Sequence, residues 1–186
     1  MKKYIANSLF QSGPNKALNA CVGDNGGPYD FNDYGEGFFE GGHQIINAIY
    51  QGKWNIDLLI YPAAFNYRHG IELYIKHLIT SAARCTGQTV RPKKTHKLLK
   101  NWRLFKKLAP QLPKGLVDKG ELDKAENIIS DMIEIDPKGQ VFRYPEDIKG
   151  NRHLTNLAHI NVKVLKDGMK ILQDLLEKWQ LAIDTW

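Results

Sequence analysis

The sequence has few cysteines and no long apolar segment. Its two cysteines, Cys21 and Cys85, are far apart and match no metal-ligand spacing, so a disulfide framework is not indicated. No stretch approaches the roughly 18 apolar residues that a helix needs to span a bilayer. The apolar run that follows Lys2 and Lys3 is too short for a signal peptide. We therefore expect a soluble protein of the reducing cytoplasm that does not enter a membrane.

Motifs that mark several common enzyme classes are also missing. The chain contains no GxxxxGK[ST] phosphate loop, no strand–GxGxxG–helix unit and no GxSxG serine elbow. Their absence argues against NTPases, kinases, dehydrogenases and serine hydrolases. His69 and His77 do not have the spacing of a zinc site, and no cysteine or carboxylate cluster completes one. The sequence therefore predicts neither a metal ion nor a cofactor.

Charge is distributed unevenly along the chain, whose net charge is +6. Between Ala17 and Gly52 there are five acidic residues and no Lys or Arg, whereas Arg91–Lys114 contains nine basic residues and no acidic one. This asymmetry indicates an anionic partner for the basic segment, although a solvated helix face gives the same pattern. The candidates for contacts with a nucleic-acid backbone are Lys93, Lys97, Lys100, Arg103 and Lys107.

Apolar residues recur with helical spacing, and no segment longer than about five residues alternates as a half-buried strand would. Trp102 and Phe105 share an apolar stripe, so we predict that they are core residues. The fold class is therefore all-α, an up-and-down bundle of four to five helices formed by one domain, residues 1–186, with the Gly-rich loop 21–42 as an elaboration. The predicted helices start between Tyr34 and Phe38 and end near Tyr50, then cover Ile56–Arg84 with a kink or break at Pro62, Thr95–Leu108, Glu121–Ile135 and His153–Ile183.

Arg152 and His159 are the strongest candidates for chemistry. In the predicted last helix they are seven positions apart, nearly two turns, so both would project from one face with Asn156 between them. Arginine offers a planar fork for phosphate, and histidine can move protons near neutral pH. Together they suit cleavage of a phosphodiester without a metal. Ordinary solvated residues at a helix N-terminus would produce the same spacing.

Arg68, Glu72 and Lys76 form a second polar set in the predicted Ile56–Arg84 helix. Their four-residue steps place them on one face, where Glu72 can pair with either cation. They interrupt a strongly apolar helix, so we expect this face to be partly buried. A structural role is the more common one for such buried ion pairs.

Three segments of the chain resemble proteins of the HEPN-like superfamily (higher eukaryote and prokaryote nucleotide-binding domains). They are YPAAFNYRHGIELYIKHLI (Tyr61–Ile79), THKLLKNW (Thr95–Trp102) and FRYPEDIKGNRHLTNLAHI (Phe142–Ile160). The segments occur in the expected order and are spread over about two-thirds of the chain. The superfamily includes many prokaryotic toxins and phage-defence components.

The resemblance implies a helical homodimer in which Arg152 and His159 meet across the dimer cleft and cleave RNA without a metal. His159 would help to deprotonate the ribose 2′-hydroxyl or to protonate the leaving oxygen, and Arg152 would stabilise charge on the phosphate. A 2′,3′-cyclic phosphate product follows from that chemistry. The supporting residues in this hypothesis are Glu72, Lys76, Arg68, Asn156 and His153.

The leading hypothesis is therefore a metal-independent endoribonuclease of toxin or phage-defence type. The alternative is a non-catalytic HEPN-like subunit that uses the same face to bind a nucleotide or a partner protein, such as an antitoxin or another subunit of a defence complex. A third hypothesis, a small-ligand sensor with the loop 21–42 as a lid, has no motif behind it.

Overall fold

Five α-helices account for most of the described part of the chain, residues 7–52 and 55–186 of the computed structural model. Helix α1 is Phe31–Tyr50, α2 is Ile56–Cys85, α3 is Leu98–Leu108, α4 is Lys119–Ile135 and α5 is Val162–Asp184. The described residues form no strand, only one isolated bridge between Glu146 and Arg152. The predicted all-α bundle is thus confirmed. Residues 1–6, which include the lysines weighed as a signal-peptide start, lie outside the described part.

None of the helices in the described ranges is long and apolar enough to cross a membrane.

The core is centred on α2, which packs against α1, α3 and α5. Small residues allow α1 and α2 to approach closely: a Cβ on Gly42 would lie 2.7 Å from Tyr67 Cε1, and one on Gly70 would lie 2.7 Å from Phe39 Cδ2. Tyr67 and Phe39 are themselves fully buried. Gly42 and Gly70 therefore leave space for aromatic rings of the facing helix, and this packing outweighs their low helix propensity.

Helix α1 begins at Phe31, a few residues before the predicted start between Tyr34 and Phe38, so the predicted Gly-rich loop 21–42 ends at Asp30. Asp30 caps the helix by accepting from the backbone N–H groups of Asn32 and Asp33, and the Asp33 side chain accepts from the Asp30 backbone. This reciprocal capping satisfies N–H groups that the first turn leaves without partners. The cap and the aromatic rings that pack against the glycines together stabilise the helix despite the low helix propensity of glycine.

One continuous helix runs across Pro62, so of the two predicted alternatives, a kink or a break, the break does not occur. Proline cannot donate the backbone hydrogen bond that the carbonyl of Leu58 would otherwise accept. Pro62 and Leu58 both lie on the exposed side of α2, where water can satisfy that carbonyl.

Trp102 and Phe105 of α3 are fully buried, as predicted. The Trp102 indole donates to the Glu126 carboxylate of α4, and Phe105 packs against Trp179 of α5 with ring centroids 5.8 Å apart. These contacts join α3, α4 and α5 into one side of the core.

The last helix begins at Val162 rather than His153, which corrects the premise on which Arg152, Asn156 and His159 were placed together. Asn161 ends the irregular α4–α5 connection, residues 137–161, by accepting from the N–H groups of Lys163 and Val164. Upstream, Leu154 has a φ of 58°, which a right-handed helix does not allow. The apolar periodicity of α5 therefore continues into the connection, although the connection is not helical.

Candidate active site

A polar cavity of about 240 Å³ lies where α2, the residues before α3 and the α4–α5 connection meet. All three segments of the HEPN-like resemblance contribute to it, the first through α2, the second just before α3 and the third through the connection. We call this cavity the imidazole pocket. Its lining includes Phe65, Arg68, His69, Glu72, His96 and Arg143.

Glu72 lies at the centre of a buried network of charges. Its Oε2 accepts from Arg68 Nη1 at 3.0 Å, and its Oε1 accepts from Lys76 Nζ at 2.7 Å. The side chains of Arg68 and Glu72 are each only 1% exposed. The predicted pairing on a buried face is thus confirmed, and Glu72 pairs with both cations at once.

Arg68 also fixes the neighbouring segments relative to α2. Its Nε donates to the backbone carbonyl of Asp136 at 3.2 Å, and its Nη2 donates to the backbone carbonyl of His96. One buried guanidinium therefore connects α2 to the end of α4 and to the segment that carries His96. This places the His96 ring over Glu72.

The pKa of Glu72 lies below its usual value. Burial by itself would raise it, but the hydrogen bonds and positive charges of Lys76 and Arg68 outweigh that effect. Glu72 is therefore an ionised carboxylate at neutral pH, and its oxygens can only accept hydrogen bonds.

His96 Nδ1 lies 3.1 Å from Glu72 Oε1. Because the ionised carboxylate can only accept, Nδ1 carries the proton, and Nε2 is left to exchange protons with a ligand. The His96 side chain is 67% exposed, whereas its carboxylate partner is 1% exposed. The pair thus consists of an accessible imidazole oriented by a buried carboxylate, as in many proton-transfer sites.

His69 lines the same pocket and is held by aromatic rings. It stacks on Phe65 at a centroid distance of 5.7 Å and meets the edge of Phe38 at 4.4 Å. Burial lowers the pKa of His69, and the positive charges of Lys76 and Arg68 lower it further, while Glu72 acts in the opposite direction. His69 is therefore a neutral imidazole at pH 7, with a lone pair available on one ring nitrogen.

Arg143 supplies a positive charge at the mouth of the pocket. Its guanidinium lies 5.7 Å from the Phe65 ring centroid and 5.1 Å from that of Tyr144, and it donates to the Tyr144 hydroxyl at 3.0 Å. Arg143 is otherwise exposed, so its remaining N–H groups face solvent. Such a group can bind a phosphate through two parallel hydrogen bonds.

The structure does not bring Arg152 and His159 into one cavity. Arg152 and His153 line a larger cavity of about 660 Å³ in the α4–α5 connection, which we call the loop cavity. His159 lies at a separate, mostly apolar cavity of about 350 Å³ between α4 and α5. Asn156 is an exposed residue of the connection. Because these residues lie in an irregular connection and not in a helix, the seven-residue spacing does not place their side chains on one face.

The five basic residues predicted to contact nucleic acid lie at or near α3 and are all exposed. Among the described residues, none of the five forms an ion pair with a carboxylate. Lys97 directly follows His96 in the chain, so this surface begins beside the imidazole pocket. The residues are Lys93, Lys97, Lys100, Arg103 and Lys107.

Across residues 7–52 and 55–186, no group of three or more His, Cys, Asp or Glu side chains is arranged to hold a metal ion.

Comparison of the chain with protein-family models, with curated proteins and with solved structures gave no match. The HEPN-like resemblance therefore stays a prediction.

Sequence reasoning missed His69, His96 and Arg143 as site residues. All three lie within the segments that carry the resemblance, at Tyr61–Ile79, Thr95–Trp102 and Phe142–Ile160. That shared location was the available signal. The search for chemistry used spacing along a single helix instead, and spacing cannot find residues that meet only through the tertiary fold.

Proposed function

We propose that the protein is a metal-independent endoribonuclease whose reacting groups lie in the imidazole pocket. The observation that carries the proposal is the pair formed by Glu72 and His96, which shares one cavity with His69 and Arg143. Two imidazoles and one guanidinium can supply the general base, the general acid and the charge stabilisation for transfer of a phosphoryl group to an internal hydroxyl.

The reaction uses the ribose 2′-hydroxyl as its nucleophile. Neutral His69 accepts the 2′-hydroxyl proton while the 2′-oxygen forms a bond to phosphorus. The bond from phosphorus to the 5′-oxygen breaks, and that oxygen takes the Nε2 proton of His96, which reacts in its imidazolium form while its Nδ1–H stays bound to Glu72. Arg143 stabilises the negative charge on the phosphate. The products are a 2′,3′-cyclic phosphate and a 5′-hydroxyl.

The biological setting follows from the sequence resemblance. HEPN-like proteins include toxins and phage-defence components, so we propose a role of that type for a cytoplasmic homodimer that acts on RNA. The exposed cations of α3 support an RNA substrate, because they provide a surface for the phosphate backbone next to His96.

The test is cleavage of end-labelled RNA in EDTA by wild type, His96→Ala and His69→Ala, with the product ends analysed. Wild type should leave cyclic phosphate ends, and each variant should lower kcat by about 100-fold or more. Lys170→Ala, which removes an exposed charge from α5, is the control for general effects. Far-UV circular dichroism and thermal melting would show that each variant is folded.

Arg152→Ala and His159→Ala distinguish this site from the pair predicted by sequence. If His159→Ala abolishes cleavage while His96→Ala and His69→Ala remain active, the reacting groups are not in the imidazole pocket. A folded wild type that binds RNA without cutting it would instead support the non-catalytic alternative.

A further inference from the structure

The largest of the cavities described above, the loop cavity, adjoins the imidazole pocket through Arg143, which lines both. Its volume of about 660 Å³ lies in the range of small-molecule sites. The reaction proposed above does not use it. Its lining includes Tyr61, Arg143, Tyr144, Glu146, Arg152 and His153.

The lining combines aromatic surface with positive charge. Tyr61 and Tyr144 are 44% and 50% exposed, so their rings are available to a ligand. Arg143 and Arg152 are also exposed at this cavity. Exposed aromatic rings beside arginines suit a planar base attached to a phosphate, because the base stacks and the phosphate pairs with a guanidinium.

A buried polar atom in the same lining has no partner. His153 Nε2 is inaccessible to solvent and forms no hydrogen bond among the described residues. Buried polar groups are rarely left unsatisfied, and the half-buried His153 ring can expose this atom to the cavity by turning about its side-chain bonds. Glu146 adds an acceptor to the lining, which suits an N–H donor on a base edge or a ribose hydroxyl.

The segment that presents these groups is held in shape. Asp147 accepts from the backbone N–H groups of Lys149 and Asn151 and from the Asn151 side chain, at 2.8 to 3.0 Å. The His153 N–H donates to the Pro145 carbonyl at 3.0 Å. Leu154, also in the lining, has a φ of 58°, a strained conformation of the kind found at ligand sites.

We propose that the loop cavity binds one nucleotide of the RNA, the one adjacent to the phosphate that is cleaved. The base stacks on Tyr144 and Tyr61, and the phosphate of that nucleotide contacts Arg152. The His153 ring turns toward the ligand, so that Nε2 hydrogen-bonds to the base or ribose. Arg143 lies between the two sites and contacts the scissile phosphate. This assignment rests on the proposed function and gives Arg152 and His153 a substrate-binding role.

Binding of mononucleotides tests the cavity separately from catalysis. AMP, GMP, CMP and UMP, with inorganic phosphate and ribose 5-phosphate as probes without a base, would be titrated into wild type by calorimetry. We expect at least one nucleotide to bind more tightly than both baseless probes. Tyr144→Ala and Arg152→Ala should each weaken it about tenfold, and Lys170→Ala, at an exposed position of α5, should bind as wild type does.

His153→Gln is the second variant, since it keeps a polar side chain and changes the geometry at the unpartnered atom. Its nucleotide affinity should fall while its melting temperature is retained. Absence of nucleotide binding by wild type, or equal binding by all variants, would overturn the assignment.

A trinucleotide with a 2′-deoxyribose at the cleavage position separates an RNA ligand from a free nucleotide. It should bind more tightly than the mononucleotide, and equal affinities would overturn the placement of the cavity along RNA. In cleavage assays Arg152→Ala should raise KM and keep kcat, whereas His96→Ala should lower kcat. Nucleotide binding without any RNA cleavage would retain the subsite and reject the proposed function.

Discussion

Glu72 Oε1 accepts from both Lys76 Nζ, at 2.7 Å, and His96 Nδ1, at 3.1 Å. One carboxylate oxygen thus links the partly buried ammonium group of Lys76 to an accessible imidazole. The other oxygen of Glu72 is bound by Arg68, so the carboxylate cannot rotate without losing an ion pair. Glu72 therefore both forms the buried ion pair with Arg68 and orients the His96 ring.

Glu72→Gln should reduce both stability and activity. The amide has no negative charge and presents N–H donors to Arg68 or Lys76, leaving buried positive charge unpaired. Removing one partner of a buried ion pair costs about 3–5 kcal/mol in the free energy of unfolding. Urea unfolding would measure the loss, with Glu134→Gln on the exposed side of α4 as the matched control. A change below about 0.5 kcal/mol, typical of exposed sites, would contradict a structural role for the network.

The stability of the protein should fall as the pH is lowered below 6.5. The pKa of His69 in the folded protein lies below the unfolded value of 6.5, chiefly because the ring is buried. Between those two pKa values the unfolded chain binds more protons, so acid favours unfolding. The contribution of His69 is fully present above pH 6.5 and is lost as the pH falls through the folded pKa.

His69→Phe keeps an aromatic ring against Phe65 and removes the titrating group. Urea unfolding between pH 7.5 and 5.5 should therefore show a flatter pH dependence for this variant than for wild type. His159→Phe makes the same exchange at an exposed position and should keep the wild-type slope. Parallel slopes for His69→Phe and wild type would show that another group causes the acid sensitivity.

Local sequence signals were sufficient for most of the fold. Helical periodicity predicted α2, α3 and α4 to within two or three residues, because each has a continuous apolar stripe. The four-residue steps of Arg68, Glu72 and Lys76 correctly predicted their pairing, since i and i+4 side chains meet on any helix.

The errors arose where tertiary contacts or capping outweighed local pattern. Residues 31–42 are rich in glycine yet helical, because aromatic rings from α2 pack into the space beside Gly35 and Gly42. In the α4–α5 connection, Leu154 and Leu157 continue the periodicity of α5, although Asn161 caps the helix further on. The candidate site forms because His96 and Arg143 lie against α2 in the folded chain. The spacing of apolar residues along the sequence cannot predict such a long-range contact.

Gly42→Ala should destabilise the protein because its Cβ would lie 2.7 Å from the buried Tyr67 ring. Overpacking of this kind costs about 1–3 kcal/mol. Gly37→Ala lies in the same helix with no atom within 4 Å of the added Cβ, so it should stabilise by about 0.5–1 kcal/mol through helix propensity. Thermal unfolding should show opposite shifts in melting temperature. A loss of stability in both variants would contradict the inference that Gly42 is needed to make room for the Tyr67 ring.

The exposed cations of α3 should contribute to RNA affinity through counterion release. For single-stranded RNA, each phosphate contact adds about 0.7 to the slope of log K against log salt concentration. The double variant Lys100→Ala/Arg103→Ala should therefore reduce that slope by about 1.4. Fluorescence anisotropy with a short labelled RNA at several salt concentrations would measure it.

The matched control removes two equally exposed charges from α5, Lys163 and Lys170, which pair with Asp167 and Asp174 on their own helix. Because those lysines are already neutralised locally, Lys163→Ala/Lys170→Ala should leave the salt slope close to that of wild type. Equal losses in the two double variants would indicate that RNA responds to net charge alone. A loss confined to the α3 variant places the RNA backbone along the helix that begins beside His96.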